Sequence, residues 1–191
     1  MLLRSLVALM ALAIAPFAIR AADDDNPYKN AKVGDYVKYT LSTKVGPFAQ
    51  DGTVTQTVTA VTDKEVTVKA TMKIGETEVP IPETKIDLTK PFDPTKAGGG
   101  NIPGGGDAKI EKLKEGKEKI KVGGKEYDCV WTTYKFTAKA MGIEIEGDMK
   151  AWTSKDVPAG MVKMTMNATF AKNDMVMTME ISEYGNMKKK D

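Results

Sequence analysis

The sequence predicts a mainly β protein, a strongly curved antiparallel sheet or incomplete β-barrel with one short helix. Three observations predict it. Apolar and polar residues alternate with period 2 along most of the chain. Gly- and Pro-bearing turn signals separate the alternating runs. Neighbouring runs can be laid antiparallel so that their apolar sides coincide, as in a sheet with one face on a core and one in water.

Residues 1–21 read as a signal peptide: a short basic start at Met1–Arg4, an apolar run over Leu6–Ile19, and small residues at Ala21 and Ala22. The run is shorter than the roughly 20 residues a spanning helix needs. Cleavage near Ala21 would leave a periplasmic or secreted chain with no stable membrane insertion. Residues 22–34 then form a polar leader, too rich in Asp and Asn at Ala22–Pro27 to pack. A single domain spans 35–186, and residues 187–191 are a basic, solvated tail.

Within the domain, Asp35–Thr43 alternates with Val37, Tyr39 and Leu41 on one side, and Gly46-Pro47 ends the run. Thr53–Val61 and Glu65–Ile74 are dense in Val and Thr, which favour strands. With a loop at Thr62–Lys64, Ala60 falls opposite Val66, Val58 opposite Val68 and Val54 opposite Met72. Residues 76–94 carry Pro80, Pro82, Pro91 and Pro94. Proline cannot donate to a ladder, so this is an edge strand followed by loop. Residues 97–106 hold six glycines and read as a mobile loop. Asp107 is placed to cap a helix over 108–115, with Ile110 and Leu113 as its apolar contact and Gly116 as its stop. The Gly123-Gly124 pair predicts a two-residue hairpin turn that sets Ile120 against Tyr127. The following strand is apolar at Tyr127, Cys129 and Trp131, then at Tyr134, Phe136 and Ala138, so a bulge is expected near Thr132-Thr133. Ile143–Trp152 alternates again.

The last hairpin carries the candidate site. Met164, Met166 and Phe170 share a side of its first strand, and Met175, Met177, Met179 and Ile181 share a side of its second. A turn at Ala171–Asp174 would pair Phe170 with Met175, Ala168 with Met177, Met166 with Met179 and Met164 with Ile181. Methionine is flexible and polarizable, so such a face suits an apolar, lipid-like ligand. It equally suits a filled core in a structural or protein-contact domain. Thioethers without histidine would also select Cu(I).

Composition narrows the classes. The full chain has 28 Lys+Arg and 26 Asp+Glu. Both arginines, Arg4 and Arg20, lie in the signal, which leaves 28 − 2 = 26 lysines against 26 acids. A near-neutral chain without the arginine fork is not expected to bind nucleic acid. Histidine is absent and cysteine occurs once, at Cys129. That leaves a lone thiol without its usual base, and no constellation of catalytic groups, so no enzyme activity and no cofactor are expected. The exported protein is expected to be a monomer.

Trp152-Thr-Ser-Lys-Asp156-Val-Pro-Ala-Gly160-Met-Val162-Lys163, the methionine-rich strand after it and the closing Glu183-Tyr184-Gly185 resemble the C-terminal end of secreted bacterial DUF3108 and TapB-like proteins. Gly34-Asp35-Tyr36-Val37 is similar to their opening strand. The resemblance implies a LolA-like half-barrel that binds lipid or acyl chains. It carries over no ligand-contacting residue.

Overall fold

The computed structural model describes residues 26–90, 109–140, 143–170 and 173–187. The expected signal peptide, the first part of the leader, the Gly-rich loop 97–106 and most of the basic tail lie outside them. A 3-10 turn at Pro27–Asn30 precedes nine strands: β1 Asp35–Val45, β2 Phe48–Val61, β3 Glu65–Ile74, β4 Thr77–Asp87, β5 Lys109–Val122, β6 Lys125–Ala140, β7 Ile143–Thr153, β8 Met161–Phe170 and β9 Asn173–Asn186. They form one antiparallel sheet in the order β4-β3-β2-β1-β9-β8-β7-β6-β5. The sheet does not close into a barrel, since β4 and β5 do not pair with each other. Its curvature is nevertheless strong: Lys125, at the start of β6, donates to the hydroxyl of Tyr184 on β9, three places away in the sheet.

Alternation sets the concave face. Rows of side chains cross the strands, among them Met72–Val54–Tyr39–Ile181 over β3, β2, β1 and β9. A second row, Leu41–Met179–Met164–Ala151, runs over β1, β9, β8 and β7. A third, Met177–Met166–Met149–Tyr134, runs over β9, β8, β7 and β6. Fully burying one such side chain contributes about 1.5–3 kcal/mol. Tyr39 is wholly enclosed and satisfies its hydroxyl by donating to the Met161 carbonyl at 3.2 Å.

Four expectations are corrected. The helix over 108–115 is the first half of β5, which pairs with β6 from Lys109↔Thr137 onward. Ile110 and Leu113 offered a helix only one apolar contact, whereas the Phe136 strand beside them offers a full ladder. The bulge near Thr132-Thr133 lies across the ladder instead: β6 runs in register with β7, while on β5 the pairing skips Leu113 between Lys112↔Tyr134 and Lys114↔Thr133. Either strand of a pair can hold the extra residue. The last hairpin is shifted by two, pairing Phe170 with Asn173, Ala168 with Met175, Met166 with Met177 and Met164 with Met179. An even shift leaves Met164, Met166, Met175, Met177 and Met179 on their expected face, so burial cannot detect it. Similarly, Val58↔Val68 and Val54↔Met72 hold, but an irregularity after Val58 sets Ala60 against Thr67 and Val61 against Val66.

The leader differs as well. Asn26, Tyr28 and Ala31 are buried. The Asn26 side chain caps the 3-10 turn by accepting from the Tyr28 amide at 3.1 Å. Its own amide donates to the carbonyls of Asp87 at 3.4 Å and Lys90 at 3.3 Å. A polar residue followed by one large aromatic packs when the aromatic finds a hole and the polar group finds partners. The edge position of β4, the Gly123-Gly124 turn with both φ positive, and the Ile120↔Tyr127 pair agree with the sequence reading.

Candidate functional site

The methionine hairpin stands at the centre of the sheet, because β8 and β9 are its middle strands. Met164, Met166, Met179 and Ile181 are 2–7% exposed and belong to the core, with Met175 and Met177 packed against it. Phe170 closes β8 opposite Asn173. The structure thus brings most of the expected site residues onto one surface, but as packed side chains.

The open part of that surface lies beside it. A cleft of about 930 Å³ runs between the β5–β6–β7 end of the sheet and the leader. Tyr134, Val130, Thr132 and Ala151 line it on the sheet side, and Asn26, Pro27, Lys29 and Asn30 on the leader side. Its floor is continuous with the methionine rows, since Tyr134 pairs with Met149 and Ala151 with Met164. The period-2 pattern already placed Tyr134 and Ala151 on the apolar side; what it could not show is that the leader folds back to face them.

The rim is charged with both signs. Lys112 meets Glu115 at 2.9 Å, and Lys119 meets Glu126 at 3.2 Å and Asp128 at 3.5 Å. Glu118 accepts from the Trp152 indole N–H and from Lys150 Nζ, the latter at 3.0 Å. Lys150 in turn lies between two indole rings, 4.6 Å from the Trp131 centroid and 4.4 Å from that of Trp152. The indole bond first, and the lysine after it, hold the Glu118 carboxyl below its ordinary range.

Cys129 is buried at the cleft wall, and burial pushes its thiol up to about 11. It is therefore protonated at neutral pH and poorly nucleophilic. Among the described residues no three of His, Cys, Asp or Glu gather as a metal-holding group. The geometry suits reversible binding of a partly apolar molecule, with an apolar floor and a polar edge.

No protein-family model matches the chain. No curated protein matches it either. Two solved structures are similar. One, a protein assigned as exported with a YmcC-like fold, from Bacteroides fragilis NCTC 9343, is 10% identical with a TM-score of 0.53, over 82% of this chain and 97% of that one. The other, assigned as a lipoprotein, from Parabacteroides distasonis ATCC 8503, is 11% identical with a TM-score of 0.48, over 81% of this chain and 96% of that one. The likeness to the Bacteroides fragilis protein is one of fold: this chain has a curved, open antiparallel sheet of the same general architecture.

Proposed function

We propose that this is an exported, non-enzymatic binding or carrier module for a lipid-like ligand, seated in the cleft between the leader and the β5–β6–β7 end of the sheet. The observation that carries the reading is the continuity of the cleft floor, Tyr134 and Ala151, with the methionine rows behind it. Its volume, about 930 Å³, falls in the range of small-molecule sites. Methionine side chains in the rows next to the floor, Met149 and Met164, can change rotamer to make room for a chain of carbon atoms, which Val or Ile there would resist. The mixed charges of the rim fit a polar headgroup left in water. Export is supported by the N-terminal apolar run and by the assignment of the structural neighbour as exported. The DUF3108 and TapB-like resemblance, with its LolA-like lipid binding, points the same way.

The burial of Met164, Met166 and Met179 favours a second reading, a structural or protein-contact domain with a filled core. A fluorescent fatty-acid probe separates the two. The first reading expects saturable uptake that Thr132→Trp, at a half-buried position lining the cleft, abolishes by filling the floor, with the fold intact by circular dichroism. Absence of uptake by the unsubstituted protein would leave the structural domain. Native mass spectrometry of protein purified from its own compartment would show bound lipid on the first reading. Bound copper there would instead indicate a thioether Cu(I) site.

A further inference from the structure

We infer that β5 is the docking edge for a second copy of this chain, related by a two-fold axis at Gly116. The two edges of the sheet are treated differently. β4 carries Pro80 and Pro82, which withhold donors and block strand addition. β5, Lys109–Val122, contains no proline, and among the described residues nothing pairs with its other side. A long edge that lacks a steric block is open to another strand unless its charges forbid it.

Its charges do not forbid its own copy. In antiparallel pairing centred on Gly116, Glu115 falls opposite Lys117 of the second copy and Lys114 opposite Glu118, and the two-fold repeats each pair. Beyond Leu113, which the pairing of β5 with β6 skips, this register does not continue residue for residue. Over residues 114–118 no like charges face each other. Other registers lose this. Slipping by two residues, the smallest shift that keeps both concave faces on one side, sets Glu115 against its own copy in one direction and Lys117 against its own copy in the other. The six lysines of β5 thus disfavour indiscriminate aggregation and permit one register. At the axis Gly116 brings no side chain of its own, because the Trp131 ring already occupies the space a Cβ would need, 2.6 Å from the nearest ring carbon. The dimer would continue two nine-stranded sheets as one, and it replaces the monomer that net neutrality suggested.

Sedimentation equilibrium at about 100 μM protein tests this, a concentration at which a micromolar dimer is nearly complete. The purified protein should sediment as a dimer. Glu115→Lys and Lys117→Glu, each placing like charges together twice at the axis, should each weaken dimerisation at least tenfold. Mixing the two variants should restore association as a heterodimer. The lysine introduced in one variant then meets the glutamate introduced in the other, and the Lys117 kept by the first meets the Glu115 kept by the second. A monomeric unsubstituted protein overturns the inference. So do single variants that remain dimeric, or a mixture of folded variants that fails to associate.

Discussion

Gly160 ties the leader to the sheet, and substituting it tests whether the leader is part of the fold. It lies at φ +74°, and a Cβ built there would stand 2.2 Å from Pro27 Cγ and 2.3 Å from Pro27 Cβ. Gly160→Ala therefore acts twice. The left-handed backbone costs an alanine about 1–2 kcal/mol. The methyl also drives Pro27 outward, and Pro27 leads straight into Tyr28, which is 1% exposed. Partial exposure of that ring adds about 1–2 kcal/mol, for a total loss of about 2–4 kcal/mol. Pro27→Gly removes both offending carbons, so in that background Gly160→Ala should cost only the backbone part, leaving a coupling of about 1–2 kcal/mol between the two sites. Urea denaturation followed by the fluorescence of Trp131 and Trp152 gives all four corners of the cycle. Equal costs in both backgrounds, within about 0.5 kcal/mol, would refute the idea that the leader is wedged against Gly160.

Three further outcomes are expected. Met166→Asp should destabilise by several kcal/mol, because it buries an unpaired carboxylate, while Thr165→Asp on the outer face should stay within about 1 kcal/mol; equal losses would show the faces to be misassigned. Glu118, with its folded-state pKa depressed by Trp152 and Lys150, stabilises the fold above its unfolded pKa, near about 4.3, and this contribution is lost as pH falls through the lower folded value. Glu118→Gln should therefore flatten the acid limb of the stability curve, and an unchanged limb would remove Glu118 from that role. Cys129, buried and with its thiol pushed up to about 11, should react with a disulfide reagent at pH 8 far more slowly than in urea; rapid modification of the folded protein would show the thiol to be reachable.

The sequence by itself determined which residues point inward. Period-2 alternation is a local property of a pleated strand, so Val37, Tyr39, Met164, Met166, Met179 and Ile181 could be assigned to one face from their spacing alone. Turn chemistry is equally local, and Gly123-Gly124 marked its hairpin for the same reason. Face and turn, however, leave even shifts undetected, which is why the β8–β9 pairing differed by two residues while the methionines kept their side. The segment Lys109–Glu115 shows a second limit: its local pattern allowed a helix, and only the ladder offered by β6 made it a strand. Tertiary structure alone decided the site. Asn26 and Tyr28 are distant in sequence from Tyr134 and Ala151, and nothing local specifies that a polar leader will turn back, cap itself with Asn26 and leave a cleft facing the sheet. That outcome depends on a hole for the Tyr28 ring and on the two carbonyls, of Asp87 and Lys90, that receive the Asn26 amide, both supplied only once the sheet has curved.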